Sequence, residues 1–287
     1  MKLAPDDIQT KEVLDWKGLH LLNFSQSSCS QKVRIFLAEK GVEYQSRNID
    51  LKNGEHTKPW YLGINPRGVV PVLIHDGDVH IESNDILRYI EDTFPTPGHA
   101  WIPGEESQRE LTEKLLDLED ELHTHIRVAT MGFMFPQAAV KKSEAELEAY
   151  AKNGADDPHR DEQIAWWRAF GEHGITDQQA RDAVVAFQGA FSQLNDLLGD
   201  RDWLLGDKPT VLDIAWFITL YRAVKAGYPI EVHPALHALY ERMVARPSFQ
   251  RELEKGPAII RIAGPVYRAF RRLQGTTLKS VYDKACA

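Results

Sequence analysis

Cys29 and Ser30 stand side by side in the run FSQSSCSQKVRIFLAEKG, Phe24 to Gly41. The start of a helix leaves backbone N–H groups unpaired and carries partial positive charge, so a thiolate held there is stabilised and its pKa falls. Val33, Phe36 and Leu37 recur at i, i+3 and i+4, which gives a following helix one buried face. Gly41 is placed to stop it. This pattern predicts a helix over 30–40 with Cys29 and Ser30 at its mouth. The same pair also fits a small buried thiol beside an N-cap hydroxyl.

The elements around that turn read as follows. Residues 19–24, an apolar run, and residues 44–49 read as strands on either side of the helix, and strands joined by a helix should be parallel. Residues 71–75 and 79–81 make two further strands around Asp76-Gly77-Asp78, a hairpin signal. A helix follows over 83–93 and ends at Pro95, Pro97 and Gly98. The expected class is α+β, a thioredoxin-like βαβ-ββα domain over 18–98 preceded by a loose polar extension over 1–17. From 105 to 287 the pattern becomes helical. Leu111, Leu115, Leu118 and Leu122 mark one apolar face, and Val184, Phe187, Phe191, Leu194 and Leu198 another. Residues 141–162 are highly charged and read as a solvated excursion.

Composition excludes several classes. The chain has 287 residues, 43% hydrophobic and 26% charged, and seven Trp, so it is long enough for one large or two ordinary folded domains. A formal net charge of -8 argues against general nucleic-acid binding. Cys29 and Cys286 are the two cysteines, too few for a disulfide framework, and a reducing cytoplasm is the expected location. No signal-peptide pattern and no run of eighteen apolar residues is present. No residue set suggests a metal site.

Four signals in order carry a resemblance to the glutathione transferase superfamily over nearly the whole chain. They are the SSCSQKVR turn, the segment GEHTKPWYLGINPRGVVPVL over 54–73, the pair Glu82-Ser83 before the third helix, and Thr210-Val-Leu-Asp213, which reads as a capping box. The resemblance implies the glutathione transferase fold, with an all-α second domain. It also implies that Val70-Pro71 is a cis bond whose backbone pairs with the cysteinyl part of glutathione. Glu82 and Ser83 would hold the γ-glutamyl end, since a helix N-terminus suits a carboxylate. His56 and Lys58 would take the glycine carboxylate, although a surface His or Lys looks the same in sequence. The implied assembly is a dimer, of identical or different chains.

The chemistry then turns on which neighbour meets the sulfur. If Ser30 donates to it, the enzyme delivers a glutathione thiolate to an electrophilic carbon; if Cys29 acts, a mixed disulfide suits thiol transfer or reductive dehalogenation. The S-S-C-S turn is similar to that of the reductive dehalogenases. The INPRGVVPVL segment and QIAWWRAFGEHGITDQQ, over 163–179, look like the bacterial β-etherases that cleave β-aryl ethers of lignin. Phe133, Phe135, Trp166, Trp167 and Phe170 are candidates to stack on an aryl substrate, though such clusters are as often core. The leading expectation is glutathione-dependent attack on an aromatic electrophile, with β-aryl ether cleavage the sharpest form. A cysteine-dependent enzyme and a non-catalytic interaction module on the same fold are the alternatives. The basic segment 258–279, with Arg261, Arg268, Arg271, Arg272 and Lys279 and no acid, fits a cover over the site mouth, a contact for an acidic partner, or a solvated helix face.

Overall fold

In the computed structural model, which describes residues 1–153, 159–253 and 258–286, the chain divides into two compact units. The first comprises Met1–Phe94 with Lys141–Glu172, and the second Pro95–Val140 with His173–Ala287.

The first unit is built on a four-stranded sheet of order β2-β1-β3-β4, with β1 Leu19–Asn23, β2 Gln45–Asn48, β3 Val72–His75 and β4 Asp78–His80. β1 pairs parallel with β2 and antiparallel with β3, and β3 antiparallel with β4. This is the expected βαβ-ββα order. Asp76 (φ 50°) and Gly77 (φ 90°) make the hairpin, both central residues in the left-handed region that two-residue hairpins require. Gly77 is doubly constrained, because a Cβ there would lie 2.1 Å from the Leu14 carbonyl oxygen. Helices α1 (Ser28–Lys40), the short α2 (Pro59–Leu62) and α3 (Ser83–Thr93) complete this part. α1 ends at Gly41 in the left-handed conformation, φ 64°.

Two segments expected to be loose are packed. Ile8 and Val13 are buried in the core beside Leu22, Tyr61 and Val72. The Leu3 N–H donates to Val79 O at 2.9 Å, so the first residues cover β4, an edge strand. Residues 141–152 and 160–172, read as a charged excursion and part of a separate helical domain, join the first unit as α7 (Glu144–Lys152) and α8 (Arg160–His173). The reason is a thin apolar stripe inside the charged sequence: Leu147, Tyr150 and Ile164 bury against Leu62, with Trp167 packed alongside.

The second unit, among the described residues, is helical: α4 (Glu106–Glu121), α5 (His123–Ala129), α6 (Gln137–Val140), α9 (Asp177–Leu198), α10 (Val211–Ala226), α11 (Pro234–Val244), α12 (Pro247–Leu253), α13 (Ala258–Leu273) and α14 (Leu278–Ala285). The predicted α9 face, Val184 to Leu198, is buried throughout. On α4 Leu115 is buried as predicted and Leu111 and Leu118 are half-buried, while the buried face also takes in Thr112, Leu116 and Glu119, whose carboxylate accepts from the Thr219 hydroxyl at 2.9 Å. Asp213 reaches back from α10 to accept from the Thr210 N–H (2.7 Å) and hydroxyl (2.9 Å), and from the Leu204 N–H at 3.0 Å. Burial pushes its carboxyl up to about 6. No described helix is long and apolar enough to cross a membrane.

Candidate active site

The thiol-bearing turn is set by α1 itself. The helix begins two residues earlier than the sequence pattern suggests, and Ser27, not Ser30, is its N-cap, accepting from the Ser30 N–H at 3.2 Å. Each residue advances about 100° around a helix, so this shift decides which neighbour faces outward. Ser30 is fully buried and its hydroxyl accepts from the Phe24 N–H at 3.3 Å. In this structure the Ser30 oxygen closes the turn inside the protein and has no exposed surface. Cys29 is half-buried, as are Ser27 and Ser28. Ser27 and Ser28 are the candidates missed in sequence, where four hydroxyl and thiol residues in a row leave the helix start ambiguous.

Two basic side chains of α1, also missed, hold the turn in place. Arg34 donates to Asn23 Oδ1 (2.6 Å), Phe24 O (3.2 Å) and Ser25 O (3.0 Å). Lys32, nearly inaccessible, donates to Asn84 Oδ1 at 2.8 Å and so ties α1 to α3. A buried charge needs such polar partners. The VRIFL pattern marked the apolar face without revealing that its Lys and Arg also turn inward.

The Val70-Pro71 bond is cis. Just before it, the Val69 carbonyl accepts from both Tyr61 Oη (2.7 Å) and Asn65 Nδ2 (2.9 Å), so the NPRG turn is pinned on the side chains that precede it. Ser83 opens α3 and is buried. Glu82 precedes it with φ 65° and ψ 117°, a conformation that costs a non-glycine residue energy and recurs at functional sites. Its carboxylate pairs with Arg67, a residue that no sequence pattern singles out.

His56 lies on a short 3-10 turn, Glu55–Thr57, and lines a pocket of about 330 Å3, open mouth included, with Gly54, Thr57, Gly68, Lys142, Glu146, Tyr150, Gln163 and Trp167. The His56 Nδ1 is buried and has no hydrogen-bond partner. Desolvation, with the Lys142 charge adding to it, lowers its pKa to about 4. The ring is therefore neutral at pH 7. Lys58 is exposed and outside this lining.

The expected aryl-binding residues separate. Phe133 and Phe170 are buried, Phe133 beneath the Arg271 guanidinium at 4.4 Å and Phe170 stacked on Trp166 with ring centroids 5.3 Å apart. Neither offers a face to a ligand as placed. Phe135, Trp166 and Trp167 are half-buried, and Trp167 belongs to the His56 pocket. In the basic C-terminal segment Arg271 also donates to Gly132 O at 2.6 Å, so it packs within the helical unit. The side chain of Arg261 lies outside the described residues.

The comparisons agree with this geometry. Residues 26–93 match the family model of the glutathione S-transferase N-terminal domain, and residues 160–242 that of the C-terminal domain. Protein LigF of Sphingobium sp. strain SYK-6 is 29% identical over 83% of this chain and 93% of its own length. A maleylacetoacetate isomerase of Pseudomonas aeruginosa is 26% identical over 81% of this chain and 94% of its own. The crystal structure of the β-etherase LigF from the same Sphingobium strain superimposes with a TM-score of 0.70, at 27% identity, covering 83% of this chain and 99% of that one. Both halves of the fold, the cis proline and the ordered turn thus converge, and the chain belongs to the glutathione S-transferase family.

Proposed function

We propose that the protein binds glutathione in its first unit and directs the thiolate at an aromatic electrophile, cleaving β-aryl ethers. The observation that carries the reading is the concentration in one unit of a half-buried thiol turn at a helix start, the cis Val70-Pro71 backbone, Ser83 at the mouth of α3 and the unpartnered His56. These offer, in turn, positive potential for a sulfur, backbone groups for a peptide and polar ends for two carboxylates. The likeness to LigF, in sequence and in fold, supports the ether substrate over other electrophiles. β-Ether cleavage is a displacement at carbon: the C–S bond forms as the C–O bond breaks, and the phenolate leaves with the electron pair.

A second reading has its own observation. Cys29 is half-buried while Ser30 is sealed, which favours a cysteine thiolate that attacks the sulfur of a glutathione–substrate thioether: the S–S bond of a mixed disulfide forms as the C–S bond breaks, and the carbon leaves with the electron pair and takes a proton. Mass analysis of products from a model β-aryl ether and a chlorinated hydroquinone separates the two. A glutathione thioether that persists in Cys29→Ala and falls in Ser27→Ala or Ser28→Ala supports displacement at carbon. Dechlorinated product together with glutathione bound to Cys29, both lost in Cys29→Ala, supports the cysteine enzyme. A protein that neither binds nor consumes glutathione fits the non-catalytic module instead. Assembly as a dimer belongs to the same proposal and predicts a solution mass twice the 32.6 kDa of the chain. A cytoplasmic location is likewise part of it.

A further inference from the structure

The strap formed by α7 and α8 does more than pad the first unit. It is fastened to the loop of residues 56–68 at three points: Tyr150 Oη donates to Arg67 O (3.0 Å), Asn153 Nδ2 to Thr57 O (3.1 Å) and Arg160 Nη2 to Pro66 O (3.1 Å). Gly68, at φ 61°, lies so close that a Cβ would sit 3.1 Å from the Tyr150 ring and 3.2 Å from the His56 carbonyl. The pocket therefore begins where the loop leading to Val70 ends, with His56 on one wall and the strap on the other.

The strap brings a cation to that wall. Lys142 Nζ lies over the Trp167 ring, 5.2 Å from its centroid, and burial lowers its pKa. Among the described residues no carboxylate reaches ion-pair distance of it. The nearer acid, Glu146, directs Oε2 at the Ser143 N–H (2.7 Å) and hydroxyl (2.6 Å) within the α7 capping box. A half-buried ammonium and an unpartnered imidazole nitrogen facing one small pocket call for an anion that accepts from both.

We propose that the strap closes the glycine end of the glutathione site: Lys142 pairs with the terminal carboxylate beside His56, and the walls at Trp167 and Tyr150 admit only an unextended carboxylate there. This rests on the reading of the site given above. The pocket is small and open at its mouth, with room for the terminal carboxylate of a longer ligand rather than for the whole of it. Lys142 then sets specificity for the free acid, while Glu146, one turn away on the same strap, opposes the bound charge.

Calorimetry with glutathione and with its glycine ethyl ester, on the full-length protein, tests this. Wild type is expected to bind the free acid roughly 10–100-fold more tightly than the ester, the range of one charge-assisted hydrogen bond. Lys142→Gln should lose that factor for glutathione and leave the ester unchanged, Lys142→Arg should recover most of it, and Glu146→Gln, which preserves the capping box, should tighten glutathione. In turnover the Lys142→Gln change should appear in KM for glutathione with kcat retained. Equal affinity of wild type for acid and ester, or equal losses for both ligands in Lys142→Gln, overturns the assignment. A wild type that binds neither ligand overturns the glutathione site itself.

Discussion

Because the Ser30 hydroxyl accepts the Phe24 N–H inside the protein, Ser30→Ala leaves a buried donor without an acceptor. The expected cost is about 1–3 kcal/mol of stability, read from the urea midpoint, with glutathione chemistry retained; loss of turnover without loss of stability would contradict this. His56 gives a second residue-level test. Its folded pKa, about 4, lies below the value of a free imidazole, so between pH 6.5 and 4 the unfolded chain binds the extra proton. Its contribution is complete above pH 6.5 and is lost as pH falls through about 4. His56→Gln should make stability less steep across that window by the share of one proton, measured by denaturation at pH 4.5, 5.5 and 7. At this scale the sequence showed the residue types but not their direction. The pattern set the start of α1 two residues late and so hid that the Ser30 hydroxyl turns inward, and periodicity could not tell that Lys32 and Arg34 point into the protein.

At the scale of elements, the strap depends on few apolar side chains. Leu147→Ala should destabilise its packing by about 2–4 kcal/mol, the usual cost of emptying a buried leucine site. Because α7 is fastened to the loop of residues 56–68, amide exchange should accelerate in that loop as well as in α7. Acceleration confined to α7 would show that the two elements open independently. The sheet order, the hairpin at Asp76-Gly77 and the helix stop at Gly41 were legible because each rests on local backbone chemistry. The strap was not. Leu147, Tyr150 and Ile164 are spaced through a stretch dominated by Glu, Lys and Asp, and local composition records the solvent face more strongly than the three side chains that decide where the segment docks.

For the whole molecule, the two units are not consecutive halves of the chain. The first unit is completed by residues 141–172, drawn from between stretches of the second. A fragment ending at residue 98 would leave Leu62 without its partners on the strap. It should be soluble only with difficulty and bind a hydrophobic dye, whereas the intact chain should not. The two-domain character was legible from the switch between strand and helix patterns. The interleaving was not, since it depends on contacts between distant parts of the chain.

That interleaving bears on inheritance. A recombination event that joined this sequence to a relative's at residue 95 would separate α1, β3 and α3 from the helices that wall the His56 pocket. The hybrid would keep this protein's thiol turn and acquire the other parent's preference at the glycine end. On the proposed reading of the site, thiol chemistry and thiol selection would then be exchanged separately among relatives, although both would act on one bound tripeptide.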